Sequence, residues 1–430
     1  MIETLIGFAA LFVLLFLGLP IGFGMMLVGV AGFAWIVGWA PAFAMFGQLA
    51  YETSLSYSLS VLPLFILMGN FITQSRLSEE LYGLAYAYLG HRRGGLAMAT
   101  LVACGGFGAI CGSSLATAAT ISKVAIPSMR RYGYADSLAA GSVAAGGTLG
   151  ILIPPSTMLV LYGTLTETDI GALFIAGIVP GILGVVLYSL AVAVVTAFKP
   201  ELGPPAERTP RAERWRAIRN VWGVLVLFAG VMGGIYFGIF TPTEAAGVGA
   251  GGAFLFVLAR GALTWKGLFT VLVETARTTA MMFIVLIGAM LFSNFVNVAG
   301  LPAILTGWLG QLQTEPMLVL LAILVIYLVL GCLLETLSML VLTIPVFFPI
   351  VHLLGFDPVW FGILVVVAIE ISLITPPIGL NVFVLASVLP DVSAPTIFRG
   401  IMPFIAVDIL RLVIIVMVPG VALFLPSLMG

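Results

Sequence analysis

Apolar stretches long enough to cross a bilayer follow one another along almost the whole chain, with only short polar breaks between them. They begin near Leu5 and continue to Met429, and a spanning helix needs about 20 mostly apolar residues. The alternating segments of roughly ten residues that are typical of outer-membrane barrels do not occur in this sequence. The pattern therefore predicts an all-α polytopic membrane protein.

Composition narrows the class of protein further. Of the 430 residues, 61% are hydrophobic and 8% are charged, and the mean hydropathy is +1.22. A soluble domain could not carry so few polar residues on its surface. The net charge of −1 gives no electrostatic footprint for nucleic acid, and no phosphate-binding loop of a nucleotide hydrolase is found. We therefore expect no bound cofactor and no nucleic-acid partner, and energy coupling through an ion or a partner protein.

One long polar break, residues 199–219, divides the chain nearly in half. Its basic residues outnumber its acidic ones, and prolines 204, 205 and 210 oppose a helix. By the positive-inside rule this linker is cytoplasmic.

The two halves resemble each other. The segment PIGFGMMLVGVAGFAWIV from Pro20 aligns with PTEAAGVGAGGAFLFVLA from Pro242, and Pro154-Pro155 aligns with Pro376-Pro377, both at an offset of 222. The motifs GSSLAT and GCLLET align between these anchors at an offset of 219. Matches in the same order indicate an internal repeat, which is a common basis of transporter folds.

Charges indicate that the two repeats are inverted. Arg92-Arg93 and Arg130-Arg131 flank one largely apolar block, so both of its ends are expected in the cytoplasm, whereas the corresponding second block is flanked by Glu315 and Asp357. Two half-helices of roughly 16 residues reach about 24 Å, which suits a re-entrant hairpin. The predicted boundaries are a first inverted repeat 1–198 with scaffold helices 1–75, a hairpin at about 94–129 and a broken helix at about 136–165; a cytoplasmic linker 199–219; and a second inverted repeat 220–430 with a hairpin at about 316–352 and a broken helix at about 358–386.

Two amphipathic stretches, 78–89 and 264–276, fall between the apolar segments. They are consistent with loops that lie on the bilayer surface and equally with interfacial arms that brace a mobile unit. The sequence leaves both interpretations open.

The residues predicted to bind sodium or substrate lie at the double prolines and at the hairpin tips. Prolines inside spanning runs free carbonyl oxygens and helix ends, and small polar tips add hydroxyls, so together they offer neutral oxygen ligands for a hard cation. Close helix packing is the alternative explanation of the small residues. The predicted sodium ligands are Ser113, Ser114, Thr117 and Pro154 in the first half, and Gly331, Thr336, Thr375 and Pro376 in the second. The predicted substrate contacts are Gly112, Ser156, Glu335 and Asn381.

Few charges lie within the apolar runs. Glu335 and Glu370 are candidates for coupling or substrate contact, because an unpaired acid in hydrocarbon is costly and no base lies within one helical turn of Glu370. Asp408 and Arg411, and likewise Glu274 and Arg277, have the i, i+3 spacing of an ion pair on one helix face. No catalytic triad can be assembled from the two histidines, so we do not expect an enzyme.

Three motifs resemble a known family. GAICGSSLATAATIS from Gly108, GIFTPTEAAGVGA from Gly238 and LITPPIGLNVFVL from Leu373 are similar to the large membrane subunit of tripartite ATP-independent periplasmic (TRAP) transporters, the DctM-like family. The resemblance extends over essentially the whole chain. Cys111 stands where the family more usually has serine.

The resemblance implies an elevator-type fold in the bacterial inner membrane and sodium-coupled import of a carboxylate such as a C4-dicarboxylate. It implies two partners, a small four-helix DctQ-like membrane subunit, expected as a separate polypeptide, and a periplasmic DctP-like solute-binding protein. It maps the ion-binding hairpin onto Gly112, Ser113, Ser114 and Thr117. The alternative within transport is a stand-alone ion-coupled carrier of a carboxylate or an inorganic anion with the same architecture.

Overall fold

The computed structural model describes residues 2–301, 304, 307, 315–332 and 334–429, and these residues are almost entirely helical. Within these described ranges, six helices are long and apolar enough to cross a membrane, and one bent pair would make a seventh. The prediction of an all-α polytopic membrane protein is confirmed. In chain order the helices are α1 (Ile2–Phe16), α2 (Ile21–Val37), α3 (Trp39–Leu55), α4 (Val61–Thr73), α5 (Leu77–Leu89), α6 (Gly95–Cys111), α7 (Ser114–Arg131), α8 (Asp136–Thr148), α9 (Thr157–Thr166), α10 (Ile170–Phe198), α11 (Arg211–Tyr236), α12 (Pro242–Ala259), α13 (Trp265–Val298), α14 (Pro316–Leu330), α15 (Thr336–Leu353), α16 (Pro358–Ile374), α17 (Leu380–Val388), α18 (Ala394–Met417) and α19 (Gly420–Leu423).

A scaffold forms from helices of both halves. Helix α2 of the first half packs along α13 of the second half, and α4 of the first half packs along α12 of the second. Each pair therefore joins the two halves, and the second pair contains the counterparts of the helices in the first, an exchange between the halves. Glycines make both contacts close. A Cβ on Gly29 would lie 2.7 Å from the Leu291 carbonyl carbon, and one on Gly249 would lie 2.7 Å from Met68 Sδ. This exchange is the arrangement that a pseudo-two-fold relation between repeats produces.

The second unit contains two helical hairpins and two broken helices. Helices α6 and α7 pack against each other across a two-residue connection, and so form a hairpin; α14 and α15 form the corresponding hairpin in the second half. Each hairpin is followed by a helix that breaks at a double proline, α8–α9 in the first half and α16–α17 in the second. We call these helices, together with α10, α18 and α19, the hairpin unit.

Helix α8 consists mainly of small residues, and this composition lets three helices approach it. A Cβ on Gly146 would lie 2.9 Å from Cys104 Sγ of α6, one on Gly147 would lie 2.9 Å from Ala118 Cβ of α7, and one on Gly141 would lie 2.6 Å from the Gly400 carbonyl carbon of α18. Small residues are what allow membrane helices to pack this closely. The first hairpin and α18 are therefore fixed around α8.

Two features differ from the sequence-based expectation. Residues 264–276 are not a separate arm, because α13 runs without a break from Trp265 to Val298, a segment that contains no proline. The linker becomes helical at Arg211, directly after the last of its prolines. In the first half the amphipathic stretch is a separate helix, α5.

The non-helical part of the linker lies on the base of the first hairpin. The Gly94 amide donates to the Gly203 carbonyl at 2.8 Å, and the Ala206 amide donates to the Gly90 carbonyl at 2.9 Å. At the same end, Arg130 of α7 pairs with Asp136 at 2.7 Å and with Asp391 at 2.6 Å. The base of the first hairpin and the linker therefore lie at the same end of the helices.

We expect Gly400→Ala to lower the free energy of unfolding by about 1–3 kcal/mol, because the added methyl collides with the Ser137 carbonyl oxygen of α8. Thermal unfolding of the detergent-purified chain measures the change. Gly251→Ala in α12 is the matched control, since no atom lies within 4 Å of its added methyl. Equal stability of the two variants would contradict the close crossing of α8 and α18.

Candidate functional site

The first hairpin reverses direction through Gly112 and Ser113. Gly112 has φ 64°, in the left-handed region that glycine adopts without a steric penalty. Ser113 then caps helix α7, and its hydroxyl accepts from the Ala116 amide at 3.4 Å. The tip therefore places the end of α6, with its free carbonyls, beside the beginning of α7, with its free amides.

The first break lies against this tip. After a 3₁₀ turn at Leu149–Ile151 the chain passes through Pro154-Pro155, which is a cis peptide, and Ser156 caps α9 by accepting from the Leu159 amide at 3.3 Å. The Ser156 hydroxyl donates to the Ile151 carbonyl. Thr157 Oγ1 donates to the Gly112 carbonyl at 3.3 Å, which joins the break to the hairpin tip. Predicted residues of the first half therefore lie together.

Thr117 carries an unused hydroxyl at this place. The residue is 0% exposed, and its Oγ1 makes no hydrogen bond within the described part of the chain. A Cβ on Gly108 would lie 3.5 Å from this oxygen, so the hydroxyl faces the end of α6. A buried hydroxyl without a strong partner is costly, so this oxygen is available to a ligand.

The second tip has a different capping group. Glu335 caps helix α15, with its carboxylate accepting from the Ser338 amide at 3.4 Å and from the Thr336 hydroxyl at 3.1 Å. Gly331 ends α14 against Ser372 of α16, where any side chain would collide. The predicted ligand Thr336 is therefore bonded to Glu335, which is exposed to solvent.

The second break follows α16. Thr375 Oγ1 donates to the Ile371 carbonyl at 2.6 Å, Pro376-Pro377 is a cis peptide, and Gly379 begins α17 with φ 59°. The Cys332 thiol lies 3.6 Å from the Pro376 carbonyl, which joins this break to the second tip. The second double proline is exposed, whereas Pro154-Pro155 is buried. The two breaks therefore differ in solvent access although they correspond in sequence.

Asn381 connects the two halves of the site. It is 0% exposed; its Oδ1 accepts from the Ser114 hydroxyl at 2.9 Å, and its Nδ2 donates to the Ala144 carbonyl at 2.9 Å. A series of contacts thus runs from the first tip through α17 to the second break and the second tip. The structure brings the first tip to the first break through Thr157 and to α17 through Asn381, and the second tip to the second break through Cys332.

The helix ends at the site set its electrostatics. Helices α7, α9 and α17 begin here with the neutral caps Ser113, Ser156 and Gly379, so their partial positive charges are not neutralised by an acidic cap. Helix α15 begins with a carboxylate of its own, Glu335. Helices α6, α14 and α16 end here and contribute carbonyl oxygens. An anion is therefore favoured at the first three ends, and a cation among the carbonyls and hydroxyls.

The expectation that Glu370 is an unpaired acid is wrong. Arg411 of α18 pairs with it, and Arg411 also lies 3.0 Å from Asp408, which confirms the predicted i, i+3 pair. Glu370 and Arg411 are 41 residues apart, so no local sequence pattern could reveal the contact. The sequence analysis also did not select Thr157, whose hydroxyl joins the first break to the first tip. The one sequence feature that pointed to Thr157 was its position next to Ser156.

A cavity of about 720 Å³ lies between the scaffold and the hairpin unit, away from the two tips. The scaffold lines it with Glu52 and Thr241, and the hairpin unit lines it with Glu167 and Asp169, at the opposite end of α9 from the first break. Because each side of the cavity belongs to a different unit, its volume depends on their relative position.

Comparison with known proteins gives one consistent family. Residues 8–421 match the model of the DctM component of tripartite ATP-independent periplasmic transporters. The C4-dicarboxylate TRAP transporter large permease protein DctM of Pseudomonas aeruginosa is 38% identical over 383 residues, covering 88% of each chain. The sialic acid TRAP transporter large permease protein SiaM of Vibrio cholerae is 32% identical over 418 residues, covering 96% of each chain.

A solved structure supports the fold. The YdaH transporter of Alcanivorax borkumensis superimposes with a TM-score of 0.65 over 89% of each chain, at 16% sequence identity. At this identity the likeness concerns the fold alone.

We expect Ser114→Ala and Thr117→Val to affect stability differently in sodium-free buffer. Ser114→Ala leaves the buried Asn381 Oδ1 without its donor and should cost about 1–3 kcal/mol. Thr117→Val removes a hydroxyl that has no hydrogen-bond partner and conserves shape, so it should cost about 0–1 kcal/mol. Thermal unfolding of the purified variants distinguishes them, and a larger loss in Thr117→Val would show that its hydroxyl is bonded within the protein.

Proposed function

Because this chain belongs to the family of DctM components of TRAP transporters, we propose that it is the large membrane subunit of a sodium-coupled importer for a small organic acid. As a permease of this family it is an integral protein of the inner membrane. The observation that carries the proposal is the meeting of three helix N-termini that lack acidic caps with two chain breaks rich in neutral oxygens.

The substrate class follows from the helix ends. The beginnings of α7 and α17 meet where Ser114 bonds Asn381, and free amides at such ends bind carboxylate oxygens well. The exposed Glu335 carboxylate would repel an anion, so we place the acidic group of the substrate near the first tip. Relatives carry names that specify C4-dicarboxylate and sialic acid, which both contain carboxylates. A C4-dicarboxylate or a similar organic acid is our proposed substrate.

The coupling ion is proposed to bind among neutral oxygens. The Thr117 hydroxyl, the carbonyls of the first break and the hydroxyls of the first tip offer oxygens without the charge that a membrane interior penalises. In the second half, Thr336 and the carbonyls near Gly331 and Thr375 form the corresponding set. Two sodium ions per substrate would follow from two such sites.

The mechanism is proposed to be a sliding of the hairpin unit against the scaffold. Among the described residues, no side-chain hydrogen bond or ion pair joins α2–α4 or α11–α13 to the hairpin unit. Away from the cavity their contact is close, as where a Cβ on Gly69 of α4 would lie 2.8 Å from the Ile110 carbonyl oxygen. Interfaces without side-chain hydrogen bonds or ion pairs allow two packed units to slide without breaking polar contacts.

Two partners belong to the proposal. A small four-helix membrane subunit would support the scaffold in the bilayer, and a periplasmic solute-binding protein would deliver the substrate. The family name specifies a tripartite, ATP-independent system. Energy would then come from the sodium gradient, and selection of the substrate would begin in the periplasm.

The direct test is uptake into proteoliposomes that contain this chain and its small membrane subunit. We expect uptake of a labelled C4-dicarboxylate to require an inward sodium gradient and the cognate binding protein, and to proceed without ATP. Liposomes with equal sodium on both sides are the control for coupling. Uptake by this chain alone, without the binding protein, would instead establish the stand-alone carrier, and uptake that ignores sodium would refute sodium coupling.

We expect Thr117→Val and Thr336→Ala each to raise the sodium concentration for half-maximal uptake about tenfold, the effect of losing one ligand worth about 1.4 kcal/mol. The same variants should lose part of the thermal stabilisation that sodium gives the purified chain. Thr196→Val is the control, since its buried hydroxyl bonds the Val192 carbonyl far from both tips. Unchanged sodium responses in both test variants would mean that these hydroxyls serve packing.

A further inference from the structure

A charged network lies in the interior of the hairpin unit, outside the proposed ligand sites. It consists of Tyr188 of α10, Glu370 of α16, and Asp408 and Arg411 of α18, and every one of these side chains is 0% exposed. Arg411 Nη2 donates to Glu370 and lies 3.0 Å from Asp408, and the Tyr188 hydroxyl donates to Asp408. The Arg411 guanidinium also lies 6.0 Å from the centre of the Tyr188 ring.

The network joins three helices, one from the first half of the chain and two from the second. Helix α10 ends the first repeat, while α16 and α18 belong to the second. Buried charges are expensive unless each one is paired, so their helices are held at a fixed distance and register. An arginine suits this role because its planar fork presents several donors in a rigid geometry.

Helix α10, which carries Tyr188 of the network, also packs against the first break. A Cβ on Gly177 would lie 2.6 Å from the Leu152 carbonyl oxygen, and one on Gly181 would lie 2.5 Å from Ile153 Cγ1. One turn further, a Cβ on Gly184 would collide with Arg411 Nη1. The same face of α10 therefore contacts the first break and the guanidinium.

On α16 the network lies next to the second break. Glu370 is five residues before Thr375, where the helix ends. Between them, Ser372 packs against Gly331 at the second hairpin tip. Any shift of Glu370 along or around α16 would therefore move the second break and its tip together.

We propose that Arg411 is a positioning residue that couples the two proposed sodium sites, by holding the second break in register with the face of α10 that supports the first. This inference rests on the proposed sodium-coupled function. Binding of one sodium ion orders its own break, and the network transmits that order to the other break. Uptake by the natural protein should therefore depend on sodium cooperatively, as coupling between two sites requires.

The test measures the initial rate of uptake against sodium concentration in proteoliposomes that hold the complete transporter. Arg411→Lys keeps the charge but loses the fork, and Gly184→Ala keeps all four network side chains while forcing the guanidinium to move. Both should lower the Hill coefficient of the sodium dependence, because two uncoupled sites that must both be filled give a less steep curve than two coupled sites, and both should raise the half-maximal sodium concentration about tenfold. The maximal rate at saturating sodium should be retained. Arg219→Lys on the exposed start of α11 is the matched control.

The outcomes separate this inference from the proposed function. A natural protein that ignores sodium would refute the proposed function itself. A natural protein with cooperative sodium dependence, together with variants that keep that cooperativity and lose only maximal rate or protein yield, would show that the network is merely structural and would overturn the inference. If Arg411→Lys does not accumulate in the membrane, Gly184→Ala decides the question with its charges intact.

Discussion

The structure depends on one constraint, which is that backbone polar groups cannot remain unpaired in hydrocarbon. Both helices that break at a double proline release backbone groups at the break. The first break is buried against its hairpin tip, where Thr157 donates to the Gly112 carbonyl, and the exposed second break contacts its tip through the Cys332 thiol. Hairpin and break therefore require each other, and the small residues of α8 and α10 allow the helices to approach closely enough. The proposed ligand sites would be a by-product of satisfying this constraint.

The sequence predicted much of this arrangement because its signals were local. The proline pairs marked both breaks, and the motif from Gly112 to Thr117 marked the first tip. What could not be predicted depends on contacts between distant segments. Arg411 pairs with Glu370 across 41 residues, and Asn381 bonds Ser114 across 267, so neither contact has a local pattern. The unequal burial of the two proline pairs is likewise a tertiary property, since their sequences correspond.

Ion pairs are distributed unevenly between the parts of the molecule. Within the hairpin unit, ion pairs lie at the base of the first hairpin, where Arg130 pairs with Asp136 and Asp391, and in the buried network around Arg411. The tip of the first hairpin is neutral. Ion pairs thus hold helices of the hairpin unit to one another, whereas among the described residues none joins α2–α4 or α11–α13 to that unit.

The unbroken helix α13 gives the scaffold a sensitivity to the membrane itself. Its 34 residues extend about 51 Å at 1.5 Å per residue, well beyond a hydrocarbon core of about 30 Å. The excess length can be accommodated only by tilt or by turns that lie in the headgroup region. Because α2 packs along α13, any tilt is shared by the scaffold, and the acyl-chain length of the surrounding lipids becomes a variable that sets its inclination.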